Sequence, residues 1–307
     1  MIFKNLQYLV ALAQEQHFAR AATRCGVTQP TLSAGVKQLE EELGILVVQR
    51  GQRFQGFTPE GARVLEWARR ILADCDSLNQ EVSQMKASLT GRLRIGAIPV
   101  ALPVVPLLTT PFAQQFPQVT ITVHSMTSID IQRGLDDFSL DGGLTYLDNE
   151  PLQRVRTLEL YRERYYLFTP EDAAPAGRDS VSWLDAAQTP LCLLTPDMQN
   201  RRIIDLHFHE AGADVNPRLE TNSILTLCDH LRTGQWSTIL PQTYLYLLGE
   251  ISHIRAAALV KPSPTHTVGL VVPDREPLTP SGRELHRLAS TLELAGTIEK
   301  QISLSHR

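Results

Sequence analysis

The chain has 307 residues and a net charge of −4 at neutral pH, and 43% of its residues are hydrophobic. This composition supports folded cores in two or three globular units and excludes an intrinsically disordered protein. The slightly acidic balance excludes a polycationic protein, so any binding to nucleic acid must come from a local surface.

Features of membrane or exported proteins are missing from the sequence. No run approaches the ~20 apolar residues that span a bilayer, and the N-terminus lacks the basic and apolar regions of a signal peptide. The four cysteines lie far apart, at Cys25, Cys75, Cys192 and Cys228. Such spacing is typical of reduced thiols, so we predict a cytoplasmic protein without membrane contact, metal or cofactor.

The N-terminal residues carry apolar side chains at helical spacing. This pattern predicts helices over residues 3–15, 18–25 and 29–43. Thr28 is a favourable N-cap for the third helix, and Pro30 falls in its first turn, where a missing N–H is tolerated. Two short helices joined by a tight turn are typical of a helix-turn-helix.

A helix pair of this kind binds DNA when its second helix enters the major groove. The leading end of that helix offers glutamine, which suits adenine, and hydroxyls, which suit phosphates or base edges. A predicted hairpin over residues 45–58 adds two arginines that could reach the flanking backbone. The predicted DNA contacts are Thr28, Gln29, Pro30, Thr31, Ser33, Lys37, Arg50 and Arg53. A small helical bundle with a solvated polar helix is the alternative, since residues 1–60 hold six basic and five acidic residues.

Residues 59–89 carry the most regular pattern in the sequence. Apolar residues recur there every three or four positions, as in a heptad seam: Val64, Ala68, Ile71, Cys75, Leu78, Val82, Met85 and Leu89. A helix of ~45 Å, at about 1.5 Å per residue, is too long to bury this stripe within a small N-terminal domain. We predict that it pairs with a second copy of the chain, with packing on its own C-terminal domain as the alternative. Two-fold symmetry then predicts a palindromic DNA site.

Strand-like and helical runs alternate from residue 91 onward, which is typical of an α/β domain. Strands are predicted at residues 93–98, 119–124, 143–146, 165–169, 191–195, 237–240 and 268–272. Helices are predicted near residues 103–115, 128–138, 200–211, 223–233 and 280–295.

Several of these residues closely resemble the signature of LysR-type transcriptional regulators: Ala21-Ala22, the run at 25–33, Leu39-Glu40, Leu43-Gly44, Arg50 and Thr58-Pro59-Glu60-Gly61. The resemblance continues, more loosely, at residues 91–96, Phe116-Pro117, Gly234 and Ile239-Leu240-Pro241, and so covers essentially the whole chain. It implies an N-terminal all-α winged helix-turn-helix with a long linker helix. It also implies a C-terminal α/β effector domain of two lobes, like a periplasmic binding protein.

The resemblance also implies domain bounds and partners. It gives a DNA-binding domain at 1–58, a dimerisation helix at 59–89 and an effector-binding domain at 92–300, with lobes at 92–161 plus 268–300 and at 162–267. Dimers in this family commonly pair into tetramers, and an activator would also contact RNA polymerase.

A small-molecule effector is expected between the two lobes, where strand-to-helix turns present free N–H groups and favour anions. The predicted effector contacts are Pro99, Val100, Thr127, Ser128, Tyr146, Gln199, Asn200, Arg202, Asn222 and Trp236. The alternative for each is a helix cap or an ordinary surface residue. A small carboxylate is the hypothesis, partly because Trp236 stands where relatives often have glycine and would narrow the cleft.

The chain departs from the family pattern at a few positions. Ala34-Gly35 replaces residues that are often large and polar, and Gly35 within a helix costs roughly 1 kcal/mol relative to alanine. Val48 stands where phenylalanine is usual, and Val100-Ala101 replaces a frequent serine or threonine. These changes predict fewer side-chain contacts with DNA and a backbone contact with the effector.

The sequence gives less support to other classes of function. The chain has no G-x-S-x-G elbow, phosphate loop or H-E-x-x-H motif, and His207-x-His209 reads as surface histidines on a helix, so we predict no enzyme. A solute-binding module would fit residues 92–300 but leaves the N-terminal helices unexplained. A repressor without any effector remains open, and the sequence does not separate activation from repression.

Overall fold

The computed structural model describes residues 2–49, 51, 54–85, 88–173, 177–249 and 253–305. Within them the chain forms two compact units that divide near residue 89, with residues 136–139 grouped with the first. The described helices include none with the length and apolar character that a membrane crossing requires.

The first unit is built on three short helices: α1 (Ile2–Glu15), α2 (Phe18–Arg24) and α3 (Gln29–Leu43). The helices predicted over 3–15, 18–25 and 29–43 are confirmed to within one residue at each end. α1 packs against both other helices, and the buried side chains of one core cluster come from all three, including Leu12, Ala22 and Leu32.

Local signals set both ends of α3. The Thr28 hydroxyl accepts the backbone N–H of Thr31 at 3.4 Å, which satisfies an N–H that has no partner within the helix. At the other end Gly44 has φ +68°, a left-handed conformation that glycine adopts at little cost.

The predicted hairpin over 45–58 appears, among the described residues, as a single antiparallel bridge between Val48 and Phe57. The Glu40 carboxylate accepts the backbone N–H groups of Val47 and Val48 at 2.7 and 2.9 Å. Glu40, one of the five acidic residues that weigh against DNA binding, therefore has a structural role within the first unit.

A long helix, α4 (Pro59–Met85), closes the first unit. Val64 and Ala68 of this helix pack in a second core cluster of the first unit. Most of the predicted stripe beyond them is exposed, and Leu78 and Met85 expose 63% and 79% of their surface. The helix therefore carries an apolar face that the single chain leaves uncovered.

The second unit alternates strands with helices. Its strands are β1 (Gly91–Ala97), β2 (Val119–Ser125), β3 (Gly142–Tyr146), β4 (Val155–Glu163), β5 (Tyr165–Pro170), β6 (Ser180–Ser182), β7 (Cys192–Leu194), β8 (Leu219–Thr221), β9 (Thr238–Pro241), β10 (Ile254–Val260) and β11 (His266–Pro273). Its helices are α5 (Val105–Gln115), α6 (Ser128–Asp136), α7 (Trp183–Ala186), α8 (Gln199–Glu210), α9 (Ile224–Arg232), α10 (Thr243–Leu248), α11 (Pro280–Thr291) and α12 (Leu294–Ser305), with a 3-10 turn at Pro99–Val104.

Two main sheets divide this unit into lobes. The first lobe contains a five-stranded sheet in the order β2-β1-β3-β11-β4, in which β1 runs parallel to β2 and β3, and β11 runs antiparallel to β3 and β4. The second lobe contains the four-stranded sheet β6-β10-β5-β9 and the parallel pair β7-β8. The chain crosses between lobes twice, from β4 to β5 and from β10 to β11. The predicted two-lobed α/β architecture is confirmed.

All seven predicted strands are present, and four strands were not predicted: β4, β6, β8 and β10. β4 carries charged residues at Arg156, Glu159 and Arg162, and β10 is rich in alanine. Neither sequence has the apolar pattern of a buried strand. These strands were not predicted because they gain their stability from neighbours that are distant in the chain.

Candidate DNA-reading helix and candidate effector seam

The polar face of α3 is exposed. Gln29, Pro30, Thr31 and Lys37 point to solvent, and Ser33 is half-buried. Thr28 is occupied as the helix cap, and its hydroxyl lies 2.9 Å from that of Thr31. The predicted contacts Arg50 and Arg53 lie outside the described residues.

The opposite face of α3 is buried against α1. Leu32, Val36 and Leu39 are at most 3% exposed. Gly35 is buried beside them, and a Cβ atom there would lie 2.6 Å from the Tyr8 ring. Alanine at this position would collide with α1, so packing explains a glycine that helix propensity alone disfavours.

The two lobes meet where the end of β3 faces the first turns of α8. We call this contact region the seam, made of residues 145–150 of the first lobe, residues 199–207 of the second lobe, and His266. Asn200 donates from Nδ2 to the Tyr146 hydroxyl at 3.0 Å. Gln199 donates to the Asn149 carbonyl and accepts from the Thr145 hydroxyl. Three predicted effector residues, Tyr146, Gln199 and Asn200, therefore lie together, and they contact one another across the lobes.

Arg202 makes the most directed contact of the seam. Its Nε and Nη2 atoms donate to the two carboxylate oxygens of Glu150 at 2.8 and 2.5 Å. Its Nη1 atom donates to the carbonyls of Pro196 and Asp197 at 3.0 and 2.8 Å. These carbonyls fix the guanidinium plane, so that its two-pronged edge faces the first lobe in the geometry that suits a carboxylate.

Glu150 reaches Arg202 from an unusual backbone. Asn149 and Glu150 have φ of +47° and +63°, the left-handed region that side chains other than glycine disfavour. The hydrogen bond from Arg202 lowers the pKa of the Glu150 carboxyl, against a smaller opposing effect of burial. The carboxylate is thus charged and held by its partner at the end of a strained loop.

A buried acid lies directly behind the seam. Glu163 is fully buried and accepts hydrogen bonds from the hydroxyls of Tyr146 and Tyr161. Burial raises the pKa of Glu163 to about 8, although the tyrosine hydrogen bonds lower it. The side chain is therefore protonated at neutral pH and adds no negative charge to the seam.

Glu163→Gln is expected to leave the fold intact at pH 7 and to stabilise the chain at higher pH. A carboxyl with a raised folded pKa keeps its proton between pH 4.5 and about 8, where the unfolded chain has lost it. Stability therefore falls as pH rises through that range, and the amide removes this loss, a gain of roughly 2–4 kcal/mol at pH 8. Urea unfolding at several pH values measures it. Equal pH dependence in the two proteins would contradict the assignment, and Glu159→Gln, on the exposed face of β4, is the control.

The remaining predicted effector residues lie where strands and helices of the second unit begin or end. Pro99 and Val100 are buried, and the Pro99 carbonyl accepts the Tyr244 hydroxyl at 3.1 Å. Thr127 caps α6, because its hydroxyl accepts the Asp130 N–H at 3.1 Å and donates to the Asp130 carboxylate. Ser128 is buried, Asn222 is exposed and Trp236 is half-buried with its ring 6.3 Å from His230.

Sequence reasoning missed several groups of the seam and misplaced one. Glu150, Glu163 and His266 carried no local signal, because their partners lie many residues away in the chain. The interpretation of His207 as a surface residue is wrong: it is 5% exposed, whereas His209 two residues later faces solvent. A helix repeat alone would have placed these two residues on different faces.

The structure gives little support for a reactive cysteine or a metal site in the second unit. Burial raises the pKa of Cys192 to about 11 and also raises that of Cys228. Both thiols are therefore poor sources of the thiolate that reacts with oxidants and metals. Within the described ranges no group of three or more histidine, cysteine or acidic side chains is placed to hold a metal ion.

Comparisons with known proteins extend over both units. A family model described as a bacterial regulatory helix-turn-helix protein of the lysR family matches residues 3–62. A model described as the LysR substrate binding domain matches residues 86–292. The DNA-binding transcriptional dual regulator OxyR of Escherichia coli strain K12 is 32% identical over 279 residues, which covers 91% of this chain and 91% of that protein.

Solved structures are also similar to this chain. A full-length OxyR from Pseudomonas aeruginosa with a cysteine-to-aspartate substitution has a TM-score of 0.72 and 26% identity, covering 95% of this chain and 98% of that one. Full-length CbnR in complex with its target DNA has a TM-score of 0.67 at 20% identity, covering 94% of this chain and 99% of that one. The second likeness concerns the fold alone.

Proposed function

Because this chain belongs to the LysR family of bacterial transcriptional regulators, we propose that a small carboxylate bound at the lobe seam controls how it binds DNA. The chain is a DNA-binding regulator with an effector-binding domain and not an enzyme. One observation carries the finer proposal: Arg202 already holds a carboxylate, that of Glu150, in a two-pronged hydrogen bond between the lobes.

We assign DNA reading to the leading end of α3. Gln29, Thr31 and Lys37 are exposed on one face of the helix, opposite the buried Leu32 and Val36. A glutamine there can bond an adenine edge, whereas Lys37 suits a phosphate. Arg50 and Arg53 belong to the same proposal as contacts to the flanking backbone.

We assign self-association to the exposed stripe of α4. Its uncovered side chains, such as Leu78, Val82 and Met85, recur at heptad spacing along a helix of 27 residues. Apolar stripes of this length are buried when two helices pair. A dimer formed in this way presents two copies of α3 to a palindromic site, and pairing of dimers would give the tetramer.

The effector proposal rests on the fixed orientation of the Arg202 guanidinium. Two carbonyls of its own lobe orient the guanidinium, and the N-terminal end of α8 adds a positive dipole end beside it. This is a site for a planar anion with two oxygens. Neighbouring polar groups at Gln199 and Asn200 can bond other parts of a small organic acid, and the turns at Pro99, Val100, Thr127, Ser128, Asn222 and Trp236 are proposed as the surrounding wall.

Glu150 then acts as an internal occupant of that site. Its side chain is 45% exposed and its loop backbone is strained, so leaving Arg202 relieves strain and frees the guanidinium. An effector carboxylate that takes its place changes which lobe contacts close the seam. The change in lobe contacts is the means by which effector binding alters the regulator.

Glu150→Gln is expected to raise the affinity for the carboxylate effector about tenfold, because the neutral amide competes less well for Arg202. Arg202→Gln is expected to reduce affinity about 100-fold. Isothermal titration calorimetry of the full chain against a panel of small mono- and dicarboxylates measures both effects. Glu159→Gln, an exposed carboxylate on β4, is the matched control and should behave as the wild type.

Two outcomes would remove the carboxylate proposal. One is the absence of binding by any acid to wild type and Glu150→Gln alike. The other is a peroxide response: several relatives are named hydrogen peroxide-inducible genes activators. The raised pKa values of Cys192 and Cys228 argue against thiol oxidation here, and a gel shift altered by peroxide but by no acid would favour it.

A further inference from the structure

Two histidines from different lobes meet in the seam. His207 lies on α8 of the second lobe, and His266 is the first residue of β11 in the first lobe. Their Nε2 atoms are 2.9 Å apart, and their side chains are only 7% and 12% exposed. This distance requires a hydrogen bond, since two ring nitrogens without a proton between them repel.

The outer nitrogen of each ring faces a carboxylate. Nδ1 of His207 is 2.9 Å from the Glu210 carboxylate, and Nδ1 of His266 is 3.1 Å from that of Asp148. An ionised carboxylate only accepts hydrogen bonds. Each Nδ1 atom must therefore carry a proton when these contacts are made.

The number of protons follows from these contacts. Each Nδ1 atom carries a proton, which makes two. The short contact between the two Nε2 atoms holds a third proton and has no room for a fourth. The pair thus holds three protons on four nitrogens. Two neutral imidazoles hold two protons and two imidazolium ions hold four, so the geometry fits a pair with one positive charge.

The surroundings of His207 disfavour a positive charge on that ring. Burial lowers the pKa of His207, an effect larger than the opposing hydrogen bond from Glu210. Aromatic rings enclose the pair: Trp183 and Tyr165 pack beside His207, and Tyr146 and Tyr165 beside His266. Glu163 lies beyond the tyrosine hydroxyls and is protonated at neutral pH. The carboxylates of Asp148 and Glu210 contact the pair, one at each end.

We propose that the His207–His266 pair is a proton-binding site that joins the lobes when it holds one shared proton, so that closure of the seam depends on pH. The proposal goes beyond the carboxylate site and stands without it. It treats the proton as a second ligand of the seam, bound by residues of both lobes.

The direction of the pH dependence follows from counting protons in each state. Two separated histidines of ordinary pKa, about 6.5, hold two protons well above that pH and four well below it. The joined pair holds three. Above the histidine pKa, joining the two rings takes up a proton, so the joined state becomes less stable as pH rises. Below that pKa, joining releases a proton, so the joined state becomes less stable as pH falls. The joined state is most stable near the ordinary pKa of histidine.

The test compares His266→Gln with wild type in the full chain, without any effector. Urea unfolding from about pH 5 to about pH 9 gives the folding equilibrium constant at each pH. The ratio of wild type to variant is expected to fall by up to about tenfold per pH unit above about pH 6.5. On the acid side it should level off before it falls, because burial lowers the pKa of the His207 that the variant retains. Taking the ratio cancels the contribution of Glu163. His209→Gln, an exposed histidine on the same helix, should follow the wild-type curve.

A ratio that does not change with pH would overturn the proposal. A second measurement needs no variant: nitrogen NMR of the ¹⁵N-histidine-labelled chain counts ring protons directly. At neutral pH we expect one doubly protonated ring and one neutral ring protonated at Nδ1. Two neutral rings in the folded chain would also overturn the proposal, whatever the stability of the His266→Gln protein.

Discussion

Replacing Gly61 by alanine is expected to unfold the first unit of the chain or to destabilise it by about 3 kcal/mol or more. Gly61 lies in the first turn of α4, and a Cβ atom there would sit 1.9 Å from the carbonyl oxygen of Val47. The obstacle is backbone, which cannot swing aside as a flexible side chain can. Thr58 holds the two segments together, since its hydroxyl donates to the Leu46 carbonyl at 2.6 Å and accepts the Gly61 N–H at 2.9 Å.

Hydrogen exchange of the full chain locates the damage. Amides of α1, α3 and α4 should lose protection in Gly61→Ala, while those of the second unit keep it. Gly44→Ala is the control, because that glycine has φ +68° but no atom within 4 Å of the added Cβ, and its cost should stay near 1 kcal/mol. Full protection in Gly61→Ala would contradict the prediction, because it would show that the backbone at Val47 moves to accept the added Cβ atom.

Replacing Gln29 by alanine is expected to reduce strongly the discrimination between the operator and unrelated DNA. A two-pronged bond between a glutamine and an adenine is worth about 1–3 kcal/mol, and a dimer loses it in both half-sites, about 2–6 kcal/mol in total. Gel shifts with the operator and with a scrambled duplex at fixed salt measure the specificity ratio. The stability of the protein should not change, because Gln29 is exposed in the first turn of α3.

Lys37→Ala is the matched variant for phosphate contact. It should weaken binding to operator and scrambled DNA equally and reduce the salt dependence of binding. Lys37 is exposed and lies 3.4 Å from Glu41, an ion pair on the solvent face of the helix that contributes little to stability. If Gln29→Ala instead weakened both duplexes equally, glutamine would not be the base-reading residue.

The N-terminal helices were predictable because their signals are local. The Thr28 cap, the proline in the first turn of α3 and the left-handed Gly44 act within a few residues of the chain, so the sequence states where α3 begins and ends. Gly35 shows the limit of such reasoning. Propensity makes it a defect in the helix, whereas contact with Tyr8 of α1 makes it a requirement.

The seam could be predicted only in part. Tyr146, Gln199, Asn200 and Arg202 were singled out because they follow strands or begin a helix, and they lie together. Their partners were not, because Glu150 lies 52 residues from Arg202 and His266 lies 59 residues from His207. No periodicity or motif connects positions so far apart, and a single sequence carries no record of their pairing.

The last described helix was not predicted, for a similar reason. The sequence predicts helices only as far as residue 295, yet α12 extends from Leu294 to Ser305, in contact with α10 and with β4. Its apolar side chains, such as Leu294 and Ile298, are buried by elements of both lobes. A short amphipathic helix gains its order from the surface that receives it.

α12 rests on β4 of the first lobe and on α10 of the second, and α10 in turn bonds the first lobe through Tyr244 and Tyr246. Any rotation of one lobe against the other must therefore drag or release this last helix. A fluorescent protein fused rigidly behind it would sense that movement. The helix thus offers an attachment point for turning the chain into an optical biosensor for its own effector.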